Sequence, residues 1–211
     1  LETLETHMTH FVPPVTLVGQ YVQLQPLQAR HHDDLVEAVK DGELWNHWYT
    51  FIPQPEKMQA EIERRLNLQT QGSMTAFAVV APDSGRAVGM TTYMNIDAAH
   101  RRVEIGSTWY RQSVQRSPLN TEAKRLLLAH AFEQLNCIAV EFRTHFFNQQ
   151  SRRAIERLGA KLDGVLRNHQ INTHPLASGA LRDTCVYSIL ASEWPNVKAH
   201  LDYQLLRPRN L

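Results

Sequence analysis

The sequence predicts a single α/β domain built on one mixed central sheet, and three features predict it. Segments with an apolar period of two alternate along the chain with segments of helical period. A strong hairpin signal sits in the middle of the chain, and a strand runs through a short polar loop into the longest helical pattern. The resulting order is β-α-α-β-β-β-α-β-α-β-β, closed by a C-terminal helix.

The elements follow in order. VTLVGQYVQLQP, from Val15 to Pro26, alternates as one half-buried strand closed by its proline. LQARHHDDLVEAVK spaces Leu27, Leu35, Val36 and Val39 as a helix, and PEKMQAEIERRLNLQTQ does so with Met58, Ile62, Leu66 and Leu68. Between them GELWNHWYTFIPQP, dense in aromatics and prolines, reads as an ordered loop that lines a pocket. TAFAVVAP, a turn at Asp83–Gly85 and RAVGMTTYMNID form the hairpin, with Val88, Met90, Thr92, Met94 and Ile96 assigned to one face. In RRVEIGSTWY, Val103, Ile105 and Trp109 are assigned to one face and Glu104, Gly106 and Tyr110 to the other.

LNTEAKRLLLAHAFEQL is the long helix, followed by the strand CIAVEFRTHFF and the short helix NQQSRRAIERLG, which Gly159 ends. AKLDGVLRNHQ and LRDTCVYSIL complete the sheet. SEWPNVKAHLDYQL begins the last helix, with Ser192 expected as N-cap and Pro195 in the first turn. LETLETHM reads as a disordered non-native leader ahead of or including a start Met8. Residues 1–7 are therefore set aside, and 8–211 form the domain.

Composition narrows the function. The balance of 22 basic and 21 acidic residues gives a net charge of +1, so no global basic field draws nucleic acid. Local arginines such as RRV and SRRAIER are the weak basis for that reading. With 43% hydrophobic residues and no apolar run of membrane-spanning length, a soluble cytoplasmic protein is expected. Cys137 and Cys185 show neither CxxC nor Cys/His ligand spacing; they read as reduced core thiols, and no metal site is expected.

Chemistry concentrates between Glu104 and Gly164. Ser117 followed by Pro118 is an N-cap and N1 pair, so a helix starts there with unpaired amides and its positive dipole end exposed, a phosphate-binding arrangement. Arg111 and Arg116 precede it and can either add charge-assisted hydrogen bonds or remain solvated loop residues.

EIGSTWY, QRSPLNTEAKRLLLAHAFE, NQQS and RLGAKLDG occur in an order that resembles the GNAT N-acetyltransferase superfamily, and within it the branch acting on ribosomal-protein N-terminal amines. The resemblance covers most of residues 15–190 and is strongest from Arg101 to Arg167. It implies a sheet with helices on both faces, splayed between the strands ending near Tyr110 and His145 so that the pantetheine arm of acetyl-CoA fills the gap. The pyrophosphate would lie on the loop carrying Gln115, Arg116, Ser117, Leu119, Asn120 and Thr121, beside Tyr110 and Arg111. Asn148 would meet the pantetheine, and Ser151 would lie near the sulfur as the acid that protonates the leaving thiolate.

The chain departs from that pattern in three places. Pro118 and Asn120 stand where the family has small residues, which removes one amide donor from the loop. Ile155 replaces the tyrosine acid of many members, and Gln170 beside His169 stands where the branch has a glutamate base.

An amine must be neutral to attack a thioester, so a group must accept its proton. Glu104 interrupts an apolar run and matches the strand position of the base in many members; the alternative is a carboxylate merely paired with Arg101, Arg102 or Arg143. His169 is the rival base, and His145 reads as structural. Trp45, Trp48 and Tyr49, with His47, Phe51, Tyr93 and Asn95, form the expected acceptor wall, a satellite hydrophobic cluster being the alternative.

The expected activity is acetyl transfer from acetyl-CoA to a primary amine, of a protein N-terminus or of a small molecule, in a ternary complex. A non-catalytic acyl-CoA-binding module, favoured by Pro118 and Ile155, is the alternative. The branch commonly forms homodimers, and the last helix is the expected contributor.

Overall fold

A computed structural model describes residues 10–207 of the chain, so the leader expected over 1–7 lies outside the described residues. Eight strands form one sheet in the order β1-β2-β3-β4-β5-β6-β8-β7, antiparallel throughout except where β5 meets β6. The strands are β1 (Leu17–Val18), β2 (Gln23–Pro26), β3 (Met74–Val80), β4 (Ala87–Asp97), β5 (Arg102–Tyr110), β6 (Ala139–His145), β7 (Lys161–Ile171) and β8 (Leu181–Leu190). The helices are α1 (His32–Lys40), α2 (Met58–Thr70), α3 (Pro118–Ala129), α4 (Gln149–Arg157) and α5 (Trp194–Leu206).

The sheet separates two apolar cores. Leu35, Val39, Met58 and Ile62 of α1 and α2 pack on Ala76, Ala78 and Met90 from one side. On the other, Leu119, Ala123 and Leu127 of α3 and Trp194, Val197 and Leu201 of α5 pack on Phe77, Val103 and Ile105. β3 is buried along its whole length, which is why MTAFAVV is a continuous apolar run instead of an alternating one.

Several sequence expectations need correction. The strand expected over Val15–Pro26 is a two-strand hairpin, because Gly19 N–H closes a turn onto the Val22 carbonyl and the Glu122 carboxylate accepts the amides of Gln20 and Tyr21. The long helix ends in a π turn over His130–Gln134. The N-cap of α5 is Glu193 and not Ser192, with Pro195 in the first turn as expected. Val88 and Met90 belong to opposite cores, since the β3–β4 register shifts beside Val79 and Val80. Cys137 and Cys185 are free and buried, as read. Among the described residues no helix is long and apolar enough to cross a membrane.

Candidate active site

The site begins where two strands part. β5 and β6 pair in parallel only through Arg102–Ala139, Val103–Val140 and Glu104–Glu141; beyond Glu104 they diverge. A bulge in β5 accompanies the divergence: from Gly106 to Trp109, β5 carries one residue more than β4 does between Thr92 and Met90, and Ser107 takes a φ of +47°. An extra residue bends a strand and increases its twist. Arg65 of α2, 1% exposed, donates from Nε to Glu61 at 2.7 Å and from its NH2 group to the Ser107 carbonyl at 3.1 Å, holding the bulge from the α1/α2 face.

The bulge also overturns the face assignment made from strict alternation. Trp109 enters the α1/α2 core, while Tyr110 joins Val103 and Ile105 under α3. A second bulge in β4, at Asn95 with φ +47°, does the same to the acceptor wall. Asn95 turns toward Glu104, whereas Tyr93 is wholly buried beneath α3 and donates its hydroxyl to the Leu127 carbonyl at 2.5 Å. Tyr93 therefore lines no acceptor pocket.

Glu104, 5% exposed, occupies the last paired position before the gap. Its Oε2 accepts from Asn95 Nδ2 at 2.6 Å, with Arg143 Nε 3.6 Å away; Arg102 is spent on Glu141. Burial pushes its pKa above the ordinary glutamate range, against the Asn95 hydrogen bond and the Arg143 charge.

The start of α3 follows the C-terminal end of β5, the end at which the two strands part, and Gln115 ties the intervening loop back to Tyr110. Ser117 is its N-cap, accepting from Leu119 N–H at 3.3 Å, and Pro118 sits at N1. Gln115 donates to the Tyr110 carbonyl, and Arg116 is exposed with φ +61° and makes no ion pair among the described residues. Asn120 is half-buried and Thr121 is buried. Arg111 is not available as expected: Asp41 holds its Nε at 2.8 Å and also fixes Ser113.

Two buried polar groups, one beneath this helix and one on it, lack ordinary partners. The Tyr110 hydroxyl has no hydrogen-bond partner in the protein. Lys124 is 7% exposed and donates to Thr108 Oγ1 at 2.9 Å, with no carboxylate beside it among the described residues. Burial alone brings its pKa down to about 7.

Opposite, Asn148 caps α4 by accepting from Ser151 N–H at 3.1 Å, and the Ser151 hydroxyl makes no hydrogen bond among the described residues. Asn148→Ala is accordingly expected to cost about 1 kcal/mol of stability, the usual worth of an N-cap, while Ser151→Ala leaves thermal denaturation unchanged. Equal melting losses in both variants would contradict this division.

On the α1/α2 face the aromatic loop covers a cleft of about 580 Å³ lined by Trp45, Trp48, Tyr49 and Phe51, with His145 and Arg182 among the residues opposite. Trp48 meets the His145 ring edge-on at 5.0 Å, and its carbonyl accepts from Asn172 Nδ2 at 3.4 Å. His145 accepts from Phe147 N–H at Nδ1, which leaves the proton of its neutral ring on Nε2; burial holds its pKa below the ordinary histidine value. His169 is exposed on β7, hydrogen-bonded to Thr184 at 3.1 Å.

Comparison with known proteins gives the family and the fold. The profile of the family described as Acetyltransferase (GNAT) domain matches residues 22–161. The chain belongs to the GNAT acetyltransferase family. It is 31% identical over 188 residues, 86% of this chain and 97% of the other, to the Bacillus subtilis protein named "Putative ribosomal N-acetyltransferase YdaF". A GCN5-related N-acetyltransferase from Brucella melitensis superposes with a TM-score of 0.79 at 34% identity, covering 92% of this chain and 86% of that one. This GNAT chain is an N-acetyltransferase by family and by fold, and its family uses acetyl-CoA.

Sequence reading missed Arg65, Lys124 and Arg182 as parts of the site. Lys124 carried a signal, a polar residue between Ala123 and Leu127 on an apolar helix face. Arg65 and Arg182 carried none, because their roles depend on a bulge and on a cross-strand gap.

Proposed function

We propose that this GNAT protein acetylates a primary amine by direct attack in a ternary complex, acting in the cytoplasm. One observation carries the reading: β5 and β6 part immediately after a buried carboxylate, and the parting strand β5 leads into a capped helix start. CoA phosphates suit the N–H groups left free at this helix start, that of Asn120 among them, with Arg116 free to add charge and Lys124 buried one turn further along. Glu104 accepts one ammonium proton, the neutral nitrogen bonds to the acetyl carbon, and the carbon–sulfur bond breaks as the second nitrogen proton leaves to water. A backbone amide of β5 beyond Glu104, left without a β6 partner, stabilises the oxyanion, and Ser151 or water protonates the thiolate.

The thiols support direct transfer over an acyl-enzyme. Burial pushes Cys137 up to about 11 and raises Cys185 as well, so neither is poised as a thiolate at neutral pH.

Free-thiol release from acetyl-CoA in the presence of a panel of amines tests the function; CoA binding without release for any amine favours the binding-module reading. Arg116→Ala is expected to weaken CoA binding by about 1 to 3 kcal/mol, the worth of a charge-assisted hydrogen bond. An unchanged affinity by calorimetry removes Arg116 from the site. A homodimer stays a proposal for sedimentation to test, since α5 spends Trp194, Val197 and Leu201 on its own core and leaves Tyr203 and Leu206 exposed.

A further inference from the structure

The cleft beneath the aromatic loop is charged with one sign only. Its charged lining residues are Lys57 and Arg182, and no aspartate or glutamate lines it. A polycationic acceptor such as a polyamine or an aminoglycoside needs carboxylates along its length, and here it would meet two permanent cations instead. The exclusion follows from charge and not from size.

Arg182 gives the positive half of the assignment. It stands half-buried on β8, and its one hydrogen bond among the described residues runs from Nε to Thr184 Oγ1 at 3.2 Å. No carboxylate lies within the 4.0 Å of an ion pair, so its terminal N–H groups remain available to the cleft. Yet Arg182 and Glu104 each feel the other's charge. Strand register gives the geometry: Glu104 stands beside Glu141 of β6, and Arg182 bonds Thr184, the β8 partner of His145, so both side chains leave the same sheet face, Arg182 lining the cleft and Glu104 at the strand gap beside it, without pairing to each other. That arrangement leaves room for a small group carrying both complementary charges.

We propose that the acceptor is a free α-amino acid with an apolar or aromatic side chain. Its carboxylate takes the Arg182 fork, its amine faces Glu104, and its side chain lies on the Trp48 and Tyr49 wall. The assignment rests on the acetyl-transfer reading and deepens it. A planar guanidinium with free paired donors matches a carboxylate better than any other common anion except phosphate. Because the carboxylate of an amino acid sits on the carbon that bears the amine, one anchoring cation close to the base orients both groups. Glu104 takes one proton from the ammonium, nitrogen bonds to the acetyl carbon and passes its second proton through water to the sulfur, which departs as CoA thiol. The product is an N-acetyl amino acid, whose uncharged amide nitrogen no longer attracts Glu104 while its carboxylate still meets Arg182.

The experiment compares thiol release with phenylalanine, phenylalaninamide, phenethylamine and spermidine, using wild type and Arg182→Gln. Phenylalanine should exceed phenethylamine and the amide by at least about 10-fold in kcat/KM, the effect of a charge-assisted contact. Arg182→Gln should bring the phenylalanine-to-phenethylamine ratio of kcat/KM down to about one, on top of any common change that losing a cation near Glu104 imposes on every amine. A preference for spermidine, equal use of the amide (as a peptide N-terminus would give), or an equal loss with every amine overturns the proposal.

Calorimetric titration of the protein–CoA complex with N-acetylphenylalanine and N-acetylphenethylamine reads the same contact without turnover. Binding of the first that depends on Arg182 supports the acceptor assignment even if no amine releases thiol, an outcome that would overturn only the transfer reading. Binding indifferent to Arg182 overturns the assignment itself.

Discussion

Replacing Glu104 by Gln should lower turnover about 100-fold or more at neutral pH and leave CoA binding unchanged, the range for loss of a positioned general base. Glutamine keeps the shape and still accepts from Asn95 Nδ2 through its amide oxygen, so the β4–β5 geometry around it survives. The proton acceptor alone is lost. An α-amine titrates near pH 8, so raising the pH toward 9 supplies neutral amine from solvent and should restore part of the rate. Stability supplies the control. A carboxyl whose folded pKa is raised by burial contributes most below its unfolded value near 4.5 and loses that contribution as pH rises through the folded value. At pH 7 the charged form is therefore the costly one, and Glu104→Gln should melt no lower than wild type. Wild-type turnover across the pH range would place the base elsewhere, with His169 the next residue to test.

How far the sequence could be read depends on which interactions are local. Helix starts were legible because a cap is a property of a few adjacent residues: Ser117–Pro118, Asn148 and the left-handed Gly159 all stand where the pattern put them. Strand faces were legible only until the first bulge. Glu104 lies before the β5 bulge and was placed correctly, whereas Trp109 and Tyr110 lie beyond it and exchanged cores. Tyr93 and Asn95 were placed together in the acceptor wall by the same alternation, and the β4 bulge separates them. Arg111 illustrates a different blindness: its partner Asp41 lies 70 residues earlier, and no pattern around either residue announces the pair.

Lys124→Met should raise the stability of the ligand-free protein at pH 7 by several kcal/mol, an unusual sign for a substitution inside a domain. The side chain is 7% exposed, and its ammonium meets only a threonine hydroxyl at 2.9 Å. Thr108 in turn bonds Thr91, while the nearby charges on α3 are engaged elsewhere, Glu122 with the β1–β2 turn and Arg125 with Asp202. Nothing offsets burial, which brings the pKa from 10.5 down to about 7. Between those values the unfolded chain holds a proton that the folded protein does not, so wild-type stability should rise with pH across that window and flatten below it. At ~1.4 kcal/mol per unit the cost at neutral pH is on the order of 4 to 5 kcal/mol. Methionine fills a similar volume without the desolvation cost, so the gain in melting temperature should be large at pH 7 and shrink toward pH 10. An advantage independent of pH would mean that Lys124 keeps its proton in the folded protein and that its ammonium reaches water.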